Sequence, residues 1–182
     1  MSIKLNGATS GSVELDVPAA VTGGDVSLSL PGAGTVDRLE RAGNILQVVQ
    51  VVKTDSFTTT SSSFVDVTGL SVSITPSATS SKILVMASMY IGTNNTASDN
   101  KFQLLRGSTN ILTNEILSRS AATGDVQNFA INFLDSPSST SSLTYKVQAL
   151  SEGSNETIIN ARDASPSGPF GNSTITLLEV AA

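Results

Sequence analysis

At 182 residues the chain has room for one domain of ordinary size plus a short arm, and it is long enough to bury a hydrophobic core without a disulfide or metal staple. It contains no Cys and no His, which removes thiolate nucleophiles, imidazole bases and the usual zinc, copper and haem ligand sets together. The formal charge is −5 with a pI near 4.5 and the basic residues are scattered singly, which argues against a nucleic-acid partner, because phosphate neutralisation demands clustered positive charge.

The first residues, Met1 to Gly7, lack the apolar run of a signal peptide, and no later stretch reaches membrane-spanning length. The expectation is a soluble chain, with no membrane partner, that reaches the outside of a cell by being packaged into something released by lysis.

Next comes an internal repeat. Gly11–Pro18 and Gly24–Pro31 share the form G-x-V-x-L-x-[V/L]-P at an offset of 13 residues. Val13, Leu15 and Val17 alternate with polar residues in the first unit, and Val26, Leu28 and Leu30 do so in the second, so each unit is a strand with one apolar face. Gly23-Gly24 between them supplies a turn, which makes a two-stranded antiparallel arm the simplest reading. A two-stranded arm is marginal in water and must rest its apolar face on something else, so these six residues are the candidate docking contacts.

Thr35–Asn44 is the one helix candidate, about two turns long, with Thr35 as N-cap and Gly43 as stop. Val36 and Leu39 form a short apolar stripe on it. The stripe suits a connector packed on its own domain, or a subunit-contact helix. Residues 1–44 thus read as an attachment arm and 45–182 as a separate module.

From Ile45 onward, strand-like runs follow one another: 45–52, 64–67, 71–74, 82–91, 101–106, 110–117, 126–134, 143–150, 157–162 and 174–180. Ser and Thr make up 49 of the 182 residues while charged residues are 14%, so the polar half of the alternation is mostly hydroxyl, and little in the chain would fill an exposed helix face. The fold class predicted is all-β, an antiparallel β-sandwich of jelly-roll type preceded by the arm and the helix. Leu46, Val48, Ile83, Val85, Phe102, Leu104, Phe129, Ile131, Phe133, Tyr145, Val147, Ile175 and Leu177 are the predicted core.

Candidate chemistry is sparse. With no His, an activated serine would need a Lys or carboxylate arrangement, and no G-x-S-x-G elbow occurs. Glu115, Asp125, Asp135, Glu152, Glu156 and Asp163 are the acids from which a glycoside-cleaving pair would be drawn, and acids in strand-connecting loops are ordinarily solvated surface. Asp99 and Asn100 near Asn94-Asn95 form the best oxygen cluster but no calcium loop, and they read as turn formers. Gly32–Gly34 lacks a Walker lysine and reads as a hinge. Tyr90 and Phe170, beside turns, read as packed. No enzyme, no cofactor and no metal are expected.

The segment Ala8–Ala20, with the second unit ending Leu28-Ser29-Leu30-Pro31, resembles the N-terminal segment of virion structural and tail-fibre-like proteins of marine and cyanobacterial bacteriophages. The runs Ile45–Lys53, Phe64–Leu70, Lys82–Met86, Gln103–Ser108 and Asn132–Pro137 resemble their C-terminal β module. The resemblance implies a virion protein assembled in the host cytoplasm, a homotrimer docked by its arm on capsid, portal, tail or adaptor proteins with the sandwich projecting outward. A capsid decoration or head appendage fits one compact module best. The alternatives are a short tail fibre or knob meeting a host surface glycan, and a polysaccharide-cleaving spike.

Overall fold

Apolar residues alternating with Ser and Thr make extended backbone the favoured state over most of the chain, and the computed structural model carries this through. It describes residues 2–6, 12–16, 42–94, 99–112, 116–119, 125–152, 155–162 and 171–182. The chain divides into two units, Met1–Leu39 and Glu40–Ala182.

In the first unit β1 (Ser2–Asn6) pairs antiparallel with β2 (Ser12–Asp16), Ile3 opposite Leu15 and Leu5 opposite Val13. The first repeat unit therefore has the chain's initial strand as a partner. Val17, Val26, Leu28 and Leu30, with Val36 and Leu39 of the expected helix, lie outside the described residues.

The second unit is built from β3 (Ile45–Lys53), β4 (Phe57–Thr59), β5 (Val65–Ile74), β6 (Lys82–Thr93), β7 (Asp99–Arg106), β8 (Thr109–Asn110), β9 (Ile116–Arg119), β10 (Val126–Asp135), β11 (Leu143–Ser151), β12 (Thr157–Ile159) and β13 (Ser173–Val180). One sheet runs β3-β13-β6-β10, with β12 continuing the line of β13 along β6 and β4 flanking β12. The other runs β5-β11-β7, with β8 and β9 sharing the free edge of β7. All pairings are antiparallel. With β9 counted as the outer strand beyond β7, the two sheets are β3-β13-β6-β10 and β5-β11-β7-β9, the jelly-roll order, so each sheet interleaves strands from both halves of the sequence.

The two inner faces meet in one core. Ile83, Val85, Met89, Ile175 and Leu177 of the first sheet close against Leu70, Phe102, Leu104, Tyr145 and Val147 of the second, all fully buried. Phe102 of β7 and Phe129 of β10 meet across the gap with ring centroids 5.3 Å apart. Each such side chain contributes about 1.5–3 kcal/mol by leaving water.

Three expectations are corrected. Val48 is 56% exposed, and Val49 and Val51 are the β3 residues packed on the core. The Val48-Val49 and Val51-Val52 doublets leave the phase of this strand open, and an irregularity at the β13 pairing, between Glu179 and Val180, shifts its register. The runs 64–67 and 71–74 are one strand carried through Gly69 at φ +83°. The run 157–162 stops at Ile159, because Asn160 turns to φ +59°. β4, at Phe57–Thr59, is an edge strand that runs into the Ser/Thr-rich segment 58–63, which reads from sequence as an exposed loop or edge strand.

Candidate functional site

Polar groups inside the sandwich act as pins. Glu179, inward on β13 and fully buried, accepts hydrogen bonds from the Ser77 N–H and hydroxyl and from Gln47 Nε2, each at 2.6 Å. Burial alone would raise its carboxyl. The donors Ser77, Gln47 and Ser81 outweigh that and hold it below its ordinary value. The bonds tie β13, β3 and the β5–β6 loop together.

A second pin is Asn160, whose Nδ2 donates to the carbonyls of Lys53 (2.8 Å) and Asp55 (3.0 Å) while its Oδ1 accepts from Ser173 (2.6 Å). Next to it Lys53, its stem lying against Gly69, reaches Asp55 at 2.8 Å. At the third pin Asp135 of β10 accepts from Arg106 and from the Tyr145 hydroxyl, each at 2.6 Å, and so ties the two sheets. Burial, and then the bond to Asp135, push the Tyr145 hydroxyl well up from its usual range.

Three of the described candidate acids have side-chain partners. Asp135 is committed to Arg106 and Tyr145, Glu152 to Lys101 and Glu156 to Asn94. Glu115 and Asp163 lie outside the described residues, as does Phe170. Asn100 is buried and accepts from Thr157 at 2.7 Å, so it belongs to the interior rather than to an oxygen cluster. Among the described residues no three acids gather as metal ligands. No described helix is long and apolar enough to cross a membrane. Tyr90 is 37% exposed, its ring lying over Gly171.

What distinguishes the molecule is the contrast between its two outer faces. On the β5-β11-β7 sheet the outward side chains bond to one another. Lys146 and Gln148 both donate to Asp66 (2.8 and 2.6 Å), Ser73 meets Thr144 (2.8 Å), and Gln103 joins Gln148 and Asn110. The bond from Lys146, then that from Gln148, holds the Asp66 carboxyl below its usual range. This face is dressed for water.

The outer face of β3-β13-β6-β10 has fewer such bonds, Gln50 to Thr176 (2.7 Å) and Asn128 to Ser88 (3.1 Å), and more exposed apolar side chains. The register places Val48, Leu178, Leu84 and Leu134 in one row across all four strands. The next row is Gln50, Thr176, Met86 and Asn132, and the one after it Val52, Thr174, Ser88 and Ala130. Val48, Val52, Met86 and Leu134 are 44–56% exposed. Met86, Ser88, Ala130, Asn132, Thr174 and Thr176 line a shallow hollow of about 250 Å³ beside the leucine row. The one charge on these strands' outward positions is Lys82, at the rim.

The sequence carried a signal for this face that alternation alone passes over. Ile83-Leu84-Val85-Met86, Leu177-Leu178 and the valine doublets of β3 are apolar on both sides of the strand, where a sheet wetted on one face alternates. Of the docking residues expected on the arm, Val13 and Leu15 lie in β2 opposite Leu5 and Ile3.

No protein-family model matches the chain, and no curated protein does. Among solved structures it is similar to the infectious bursal disease virus T=1 particle structure (14% identity, TM-score 0.44, 98% of this chain and 44% of that one). It is also similar to the Gx strain structure of the same virus (14%, 0.42, 97% and 46%) and to its VP2 subviral particle (15%, 0.42, 84% and 42%). The chain spans less than half the length of each.

Proposed function

We propose that the chain is a structural protein of a bacteriophage particle, a surface component that works by binding other proteins and catalyses nothing. The observation that carries this reading is the allocation of polar groups. The described buried acids serve as pins between strands, while a sheet face with a row of apolar side chains and almost no charge is left for contact. The jelly-roll order, the strand-forming arm and the phage-like phrases of the sequence support it. Within the particle, a capsid decoration or head appendage assembled from copies of this chain, as a homotrimer, fits best. It is held by the arm to capsid, portal or adaptor proteins. The alternative is a short tail fibre.

Gold-labelled antibody against the sandwich, applied to particles released from the producing cells, tests the placement. Label distributed over the head is expected. Label confined to the tail tip replaces the decoration reading with the fibre, and unlabelled intact particles contradict both.

A further inference from the structure

We infer that the outer face of the β3-β13-β6-β10 sheet is the surface through which copies of this chain bind one another. The inference deepens the self-association in the proposed function and rests on that reading.

Three observations select another copy as the occupant. The first is charge. The chain carries a net −5, so two copies repel across most of their surfaces, but this face holds only Lys82 at its rim and brings no like charges together. A strongly charged partner would find no complement there. The opposite sheet, with Asp66, Lys146 and Lys101 at its surface, already spends its charges on internal pairs.

The second is shape. The row Val48-Leu178-Leu84-Leu134 stands as a ridge, and the hollow lined by Met86, Ala130 and Thr176 lies directly beside it along the same strands. A surface carrying a ridge and an adjoining hollow is complementary to itself, whether by a two-fold contact or around a ring. Side chains of two facing sheets interdigitate in this way at about 10 Å separation.

The third is size. Four strands at about 4.8 Å spacing, over the paired length of β6 and β13, present roughly 450 Å² of projected face. Two copies together then remove roughly 900 Å² of projected face, and more as accessible surface because the side chains stand up from the sheet, which suits a weak contact that several copies in an assembly would reinforce. A face of this extent is about as large as the largest patch on a typical monomer, and such patches are often functional.

The test uses the whole chain in sedimentation velocity over a dilution series. Wild type is expected to run as a discrete multiple of 18.7 kDa. Leu134→Glu and Val48→Glu, both at half-exposed edge positions, are expected to shift the boundary to the monomer at concentrations where wild type stays assembled. Ser71→Glu, on the opposite face, is expected to leave the mass unchanged.

A second readout does not depend on the Glu variants folding. The chain has no native Cys, so Asn132→Cys and Ser71→Cys each give a single spin-label site. Dipolar broadening between copies is expected for the Asn132→Cys label and not for the Ser71→Cys label. A multimer insensitive to both Glu variants, with broadening at Ser71→Cys instead, overturns the assigned face and leaves self-association standing. A wild-type monomer at every dilution overturns both.

Discussion

Replacing Glu179 by Gln isolates the pin that ties β13, β3 and the β5–β6 loop. The amide has nearly the same shape, but it keeps a single acceptor oxygen and turns an NH2 toward donors that now have no carboxylate to meet. Losing one charge-assisted hydrogen bond and orphaning one buried donor costs about 3 kcal/mol. At about 3 °C per kcal/mol for a domain of this size, the melting temperature at pH 7 should fall by roughly 9 °C.

The pH dependence has a definite sign. The Glu179 carboxyl lies below its ordinary value of 4.5, so its contribution is fully present above that value and is lost as pH falls through the folded one. The gap between wild type and Glu179→Gln should therefore be constant from neutral pH down to about 5 and close at more acid pH. Asp55 and Asp66, also held low, titrate alike in both proteins and cancel in the difference. Calorimetric melts of the two proteins at stepped pH make the comparison. A variant melting within a degree or two of wild type at pH 7, or a gap that persists undiminished in acid, refutes the reasoning.

Tyr145→Phe removes the hydroxyl that binds Asp135 and leaves Arg106 as its remaining side-chain partner; chemical denaturation should show a loss of about 2 kcal/mol. Gly92→Ala places a methyl 2.1 Å from the Ala161 carbonyl oxygen, where backbone must move, and should cost about 3 kcal/mol by the same assay. The phase of β3 is checked by a pair of variants: Val49→Ala should lose about 2 kcal/mol as a core truncation, and Val48→Ala, measured on dilute protein, within about 0.5 kcal/mol of nothing. Equal losses at the two positions would contradict the register.

Most of the sandwich was readable because the strands that cross its centre alternate cleanly. Thr144 to Leu150 and Thr174 to Val180 put every second residue in the core, and the sequence pattern has only one phase that does so. The pattern failed where both faces are apolar. In β3 a valine on each side leaves the choice of face to the pairing with β13, a contact more than a hundred residues away, which no local pattern encodes. β4 sits where the Ser/Thr-rich run 58–63 reads equally as loop or edge strand, since Phe57 alone marks it, and its strand character comes from pairing with β12.

The interior pins were equally hidden. Glu179, Asp135 and Asn160 look like surface residues in sequence, since only the fold brings Ser77, Tyr145 and Ser173 to satisfy them. The apolar outer face was written in the doublets Leu177-Leu178 and Leu84 beside Val85, but seeing it as a surface requires the register across four strands.

The central claim is that the chain is a stoichiometric part of a virus particle, and quantitative mass spectrometry of purified particles from the producing cells tests it most directly. The account predicts peptides of this chain at a fixed copy number per particle, constant through successive rounds of purification. Particles free of the chain, or a copy number that falls toward zero with each round, would contradict it.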